Sequence, residues 1–396
     1  MQKIILQKDL KLKKLMFKRK VLIITERRAD YSRFKPIINL IKKSKKLDYD
    51  LIVTGSHLLK KHGSTINEIK KDNIKINYKI KSFSEIQNIK DGESMILALG
   101  EIFIKISRII KKSKPDIILS GFDIGANFAL TVSGAHLNIP IAHIQGGEVT
   151  GSIDESLRHA MSKFSNYHLV ANNDAKQRLI KMGEKKENIF VVGCPSLDAL
   201  FLEKKIESSE ILKKFKIDVK KNFIIIIQHP ITSEDKDSGK QIFETIKAVK
   251  KSLLPALFVL PNNDSGHDNI IKTIKKSKIR WTETLSLSEY SFLLQHAKIL
   301  IGNSSSGIHE AASFKLPVIN VGTRQNGRLK PKNVINATYD REDIFNKIKF
   351  CMSNKKYLKI IKFLKNPYGD GKSSLRIVKI LSKIDLNKST QKQNTY

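Results

Sequence analysis

The stretch IAHIQGGEVTGSIDESLRH (141–159) decides how the chain is read. A short apolar run follows Pro140 and reads as the end of a buried strand. Gly146, Gly147 and Gly151 open a turn in which backbone can approach a ligand closely. A helix then begins, carrying Asp154, Glu155, Arg158 and His159. Ligands of open parallel sheets bind where strand carboxyl ends meet loops and helix N-termini. The order strand, glycine turn, charged helix therefore points to a parallel α/β fold with a site at the turn. On spacing alone, an ordinary glycine-rich turn before a capped helix fits equally well.

The same unit recurs on both sides. KVLIIT (20–25) is apolar throughout, as a strand buried on both faces must be. It runs into ERRADYSR (26–33), whose arginines and serine suit a phosphate, and then into a helical period at Phe34, Ile37, Ile38 and Ile41. DLIVTGSHL (50–58) ends in a glycine turn with His57, residues 93–112 have the period of a long amphipathic helix, and PDIILSG (115–121) leads to Phe122 and Asp123. YHLVAN (167–172) and NIFVVGCPSLDAL (188–200) complete a first series. After the charged segment 203–221 a second series follows: NFIIIIQHP (222–230), LFVLPNND (257–264), KILIGNSSSGIHEAASF (298–314) and LPVINVGTRQNGR (316–328).

Strands alternating with helices, twice over, predict two Rossmann-like doubly wound α/β domains. The expected bounds are a basic extension over 1–18, an N-terminal domain over 19–203 and a nucleotide-binding domain over 204–365. A C-terminal helix within 366–387 is expected to pack back on the first domain, ahead of a disordered polar tail over 388–396.

Bulk properties narrow the function. At 396 residues the chain is long for one core. No apolar run reaches the roughly 20 residues of a membrane helix. The basic N-terminus lacks the apolar stretch and cleavage site of a secretory signal. Cys194 and Cys351 are too far apart to suggest a disulfide framework or a zinc site, which fits a reducing cytoplasm. The net charge of +35 invites a nucleic-acid reading. The lysines, however, are spread over helix faces such as IKKSKK (41–46) and IKKSK (274–278), with no arginine cluster interleaved with aromatics. No nucleic-acid or membrane partner is expected. The field instead favours an anionic ligand such as a nucleotide diphosphate.

GNSSSG (302–307) offers backbone N–H groups, hydroxyls and a following helix to phosphate oxygens. Glu310 could accept from ribose hydroxyls and Arg324 could bind a diphosphate. GKSS (371–374) is not a P-loop, because Asn366 stands where the first glycine is required. No GxGxxG fingerprint occurs, which argues against a dinucleotide-dependent oxidoreductase.

Taken in order, RADYSR (28–33), GSHL (55–58), HIQGGEVTGSIDESLRH (143–159), GCPSLD (193–198), QHPIT (228–232), PNND (261–264), GNSSSG (302–307), INVGTRQNGR (319–328) and NPYGDGKSS (366–374) resemble the hydrolysing UDP-N-acetylglucosamine 2-epimerases. The resemblance covers nearly the whole chain from Lys20. It implies a GT-B arrangement with the ligand between the domains, and loss of UDP by elimination. Water then adds to the glycal with inversion at C2, giving UDP and an N-acetylmannosamine-type sugar. It also implies that no metal or NAD is needed, and a homodimer or homotetramer. Nucleotide contacts carried over fall on Arg28, Ser32, His229, Asn262, Leu285 (through backbone), Ser304, Ser305, Glu310 and Arg324; His57 and Gln145 are further candidate substrate contacts, although a lone histidine is more often packing or surface than catalytic. The catalytic positions are Asp154, Arg158 and His229.

Two departures stand out. Gly121, Phe122 and Asp123 align with the family's Gly-Asp-Arg, and Gln145 replaces an acid in its HIEGG motif. Neither Phe nor neutral Gln can take a proton as a base. Asp123 and Glu148, one and three positions away, are the candidate replacements. The sugar could instead be a 2,4-diacetamido-trideoxy analogue, or the chain could bind a nucleotide sugar without turning it over. A GT-B glycosyltransferase is the competing enzyme class.

Overall fold

The computed structural model describes residues 18–59, 65–82, 92–122, 125–150, 153–204, 206–261, 266–386, 391–393 and 395. The N-terminal extension, Asp123, Gly151 and Asn262 lie outside these residues. Among the described residues, no helix is long and apolar enough to cross a membrane.

Seven strands form the first sheet: β1 (Arg19–Thr25), β2 (Leu47–Thr54), β3 (Tyr78–Ile80), β4 (Ile117–Gly121), β5 (Ile141–Ile144), β6 (Tyr167–Val170) and β7 (Ile189–Val191). Their spatial order is β3-β2-β1-β4-β5-β6-β7, with every pairing parallel. The second sheet holds β8 (Ile224–Ile227), β9 (Ala256–Val259), β10 (Arg280–Thr282), β11 (Ile299–Gly302), β12 (Val318–Val321) and β13 (Val334–Ala337). Its order is β10-β9-β8-β11-β12-β13, again all parallel. In each, the chain leaves its first strand in one direction, then returns to the other side. The resulting switch points, β1/β4 and β8/β11, are where doubly wound sheets bind ligands.

Continuous burial explains the run-like sequences. Val21 to Ile24 and Ile224 to Ile226 are all fully buried, with neighbouring side chains alternating between cores on the two sheet faces. These two runs hold no polar side chains, and polar residues follow at their ends.

The chain divides into two units. The first comprises residues 1–147, 156–195 and 372–396, and the second 148–155 and 196–371. This division differs from the simple sequential one expected. Residues 148–155 and 196–203 group with the second unit, because their side chains and backbone pack against its loops. The helix Ser373–Leu381 lies in the first unit, where Ile377 and Leu381 enter its core and Ser373 donates to the Gly193 carbonyl at 3.0 Å. The tail expected to be disordered is anchored at Lys392. Its ammonium meets the buried Glu184 carboxylate at 2.6 Å and the Ser162 carbonyl at 2.9 Å. Burial pushes the Glu184 carboxyl up, but His168 and Lys392 outweigh it and hold the group below its ordinary value.

Gly302 ends β11 at φ +127°, and a Cβ there would stand 2.0 Å from the Ile227 carbonyl oxygen. The ends of β8 and β11 can approach this closely only over a glycine. Gly302→Ala is therefore expected to destabilise the second unit by about 3 kcal/mol, read as a lowered urea midpoint. An unchanged midpoint would show that the strand ends can separate freely.

Candidate active site

At the β8/β11 switch point the second unit brings several sequence candidates together. β8 ends in Gln228 and His229, and β11 ends in Asn303, Ser304 and Ser305. Asn303 links them. Its side chain accepts from the His229 N–H at 2.7 Å and donates to the His229 carbonyl at 2.8 Å, continuing the sheet ladder by one side-chain rung. The Asn303 carbonyl in turn accepts from Arg324 at 3.2 Å and from Gln325 at 2.8 Å. Three loops thus hang on one buried asparagine. Sequence reading missed it, although an Asn directly after a strand-ending glycine is the kind of residue that can mimic a backbone pair.

Ser304 and Ser305 are half-buried at the mouth of this loop. Ser306 accepts from the Tyr290 hydroxyl at 2.5 Å, and its own hydroxyl lies 3.2 Å from that of Ser304. Burial, then the Glu310 charge, push the Tyr290 phenol up, so it stays a donor. Glu310 is buried immediately beyond, and Leu285 lies half-buried just before the Ser286-capped helix Leu287–His296. The helix expected after GNSSSG is a single turn, Ser306–His309. A helix this short sums few peptide dipoles. The groups that could meet an anion here are backbone N–H groups, hydroxyls and Arg324.

Burial, aided by the adjacent Arg324 charge, lowers the His229 pKa to about 3. The imidazole is neutral at working pH and can donate a hydrogen bond without first being protonated.

The segment 148–155 is fastened to these same loops. Arg328 donates to the Val149 carbonyl at 3.1 Å, and a Cβ on Gly327 would lie 3.2 Å from the Val149 side chain. Glu148 meets His309 at 3.0 Å, with both side chains buried. The segment closes on itself through Glu155, which accepts from the Thr150 N–H at 2.7 Å. Asp154 is half-buried in the first turn of the helix Ile153–Phe164. Arg158 follows one turn later and is buried, its carbonyl accepting from Ser162 at 3.0 Å.

The remaining candidates belong to the first unit. Arg28 pairs with Glu68 at 3.4 Å, and Ser32 donates to the Ala29 carbonyl at 2.9 Å. His57 lies in the turn Gly55–Leu58 after β2. It is fully buried, with its ring nitrogens 3.0 Å from the Thr25 hydroxyl and 2.7 Å from that of Thr65, and burial lowers its pKa to about 4. It ties the ends of β1 and β2 together. Gly146 and Gly147, after β5, are closely packed on the side a Cβ would occupy. A Cβ on Gly146 would lie 2.8 Å from His143 and Ser162, and one on Gly147 2.5 Å from the Ala175 carbonyl.

Phe122 and Gln145, the two positions lacking the family's acids, share a backbone feature. They end adjacent strands and have φ of 65° and 59°, a left-handed conformation uncommon outside glycine. Phe122 turns its ring into the core, edge-on to Phe34 at 5.0 Å, with the Arg33 guanidinium 4.9 Å from the ring centre. Gln145 is buried and its N–H donates to the Leu169 carbonyl. A further carboxylate missed in the sequence, Glu26, accepts from the Ala126 N–H at 3.0 Å and so caps the helix Gly125–His136. Among the described residues, no three His, Cys, Asp or Glu side chains are grouped to hold a metal ion.

The sequence profile of the family described as UDP-N-acetylglucosamine 2-epimerase matches residues 39–382. The chain is 36% identical over 373 residues to the UDP-N,N'-diacetylbacillosamine 2-epimerase (hydrolyzing) of Legionella pneumophila, covering 93% of this chain and 97% of that one. It is 34% identical over 342 residues to a UDP-N-acetylglucosamine 2-epimerase of Neisseria meningitidis, covering 86% and 89%. A solved structure of UDP-GlcNAc 2-epimerase from Neisseria meningitidis bound to UDP-GlcNAc matches with a TM-score of 0.77 at 20% identity, covering 91% of this chain and 99% of that one. That likeness is one of fold.

The low values of His229 and His57 have a pH consequence. Between about pH 6.5 and 4 the unfolded chain binds protons at these positions that the folded chain refuses, so stability falls as pH is lowered through that window. Histidine NMR at pH 5.5 should show both rings neutral. An imidazolium signal from either would contradict their burial.

Proposed function

The chain belongs to the UDP-N-acetylglucosamine 2-epimerase family, and on that premise we propose that it is a hydrolysing 2-epimerase of a UDP-activated 2-acetamido sugar. The substrate is UDP-N-acetylglucosamine or its 2,4-diacetamido-trideoxy analogue, and the products are UDP and the free 2-epimer. The Legionella relative, whose name carries both the hydrolysing activity and the diacetamido sugar, supports this reading.

One observation carries the assignment of the site. The segment bearing Glu148 and Asp154 is stitched, inside the second unit, to the loops that present Ser304, Ser305 and Arg324. Acid–base groups and a diphosphate grip are thereby parts of one rigid arrangement. In the first half-reaction a carboxylate takes the C2 proton. The C–H electron pair becomes the C1=C2 double bond, and the C1–O pair leaves on the diphosphate. Ser304, Ser305 and Arg324 stabilise the charge gathering there, and neutral His229 donates to a departing oxygen. In the second half, water gives its hydroxyl to C1, and a proton is delivered to the opposite face of C2. Two carboxylates suit two proton transfers on opposite faces. Glu148 and Asp154 fill these roles, with Asp123, two positions after Gly121 in sequence, the remaining candidate acid. The strongly positive chain draws the anionic substrate in.

Incubation with each of the two nucleotide sugars in D2O should yield free UDP and a 2-epimerised sugar carrying deuterium at C2. Asp154→Asn should lower kcat by about 10²–10⁴-fold with UDP affinity kept within a few-fold. Arg324→Ala should weaken UDP binding by about 10–100-fold. A product still linked to UDP, or UDP binding with no turnover of either sugar, would refute the hydrolysing assignment.

A further inference from the structure

Three distant stretches of sequence meet at His309. Its Nε2 lies 3.0 Å from the Glu148 carboxylate, and the two side chains are 3% and 5% exposed. The ring of Tyr368 lies against the imidazole with centroids 4.5 Å apart. Asn366 donates to the His309 carbonyl and to Ser313, both at 2.7 Å, and the Tyr368 hydroxyl donates to the Leu329 carbonyl at 2.9 Å. Glu148, His309, Asn366 and Tyr368 all belong to the second unit.

A buried carboxylate is costly, because burial favours its neutral form. A buried charged pair adds little to stability compared with apolar residues of the same volume. The loop also has a second attachment, from Arg328 to the neighbouring Val149 carbonyl. With Glu148 ionised, the hydrogen between the two groups must sit on Nε2, because a carboxylate can only accept. The ring is fixed on one face by Tyr368 and its backbone by Asn366, leaving the imidazole little freedom to let the carboxylate turn.

We propose that His309 is a positioning residue for the reaction: by donating from Nε2 it aims the Glu148 carboxylate and keeps it ionised as a base. This rests on the epimerase reading, in which Glu148 handles a proton of the sugar. It gives the chain a carboxylate–imidazole pair three positions in sequence from Gln145, where the family motif carries an acid. Glu148 acts on the substrate and His309 acts only through Glu148.

The test compares His309→Gln, which retains an N–H donor of similar reach, with His309→Leu, which removes it. His309→Leu should lower kcat by about 10²-fold or more, with KM and UDP affinity within three-fold, roughly. His309→Gln should recover most of the loss. A Glu148→Gln/His309→Leu double variant should be no slower than Glu148→Gln alone, because the two act as a unit. Infrared difference spectra against Glu148→Gln give a readout independent of turnover. The ionised Glu148 carboxylate band should be present in wild type and His309→Gln, and replaced by a protonated carboxyl band in His309→Leu. Full turnover in His309→Leu, an unchanged carboxylate band, or additive losses in the double variant would overturn the proposal. If the bands behave as stated while wild type releases no UDP from either sugar, the epimerase reading fails and the pair itself stands.

Discussion

Residues 148–155 are bound to a part of the chain that follows them by more than 150 positions. The bonds are those from His309 to Glu148 and from Arg328 to the Val149 carbonyl. Everything proposed about the chemistry depends on this attachment. Without it, the segment would be an ordinary connection between β5 and the next helix, and its carboxylates would have no fixed relation to the phosphate-side loops. With it, a piece of sequence lying within the first sheet's series becomes part of the second unit.

The loops beyond β8 and β11 show how such a site is kept rigid. Glycine at position 302 lets two strand ends touch, and Asn303 then pairs both backbone groups of His229 while its carbonyl gathers Arg324 and Gln325. Each bond replaces one that water would otherwise make, so the net energy is modest. What the network secures is position. A neutral His229, Arg324 and two half-buried serines are held in one loop cluster, and on the proposed reading this is the electrostatic preorganisation that would lower a barrier.

Much of this was legible in the sequence because the central strands are buried on both faces. KVLIIT, PDIILSG, IIII and ILIG can be little else, and their polar successors mark the switch points. The edge strands β3, β10 and β13 escaped, since they are three or four residues long and partly exposed, so their composition carries polar residues such as Lys79, Arg280 and Asn336. The grouping of 148–155 with the second unit could not be read, because long-range side-chain-to-backbone bonds leave no local period. For the same reason His309 and Asn303 looked like filler between better-known positions. At His57 the sequence admitted packing as well as a ligand, and two threonine hydroxyls meet its ring. Lys392 lies in a stretch that composition marks as loose, yet its ammonium meets the buried Glu184 carboxylate.

The most direct test is a crystal structure of the protein with UDP and an unreactive analogue of the sugar nucleotide bound. The expected result places the diphosphate on Ser304, Ser305 and Arg324, with C2 of the sugar within hydrogen-bonding reach of the Glu148 or Asp154 carboxylate. A diphosphate held elsewhere, or a sugar ring with both carboxylates turned away from C2, would contradict it.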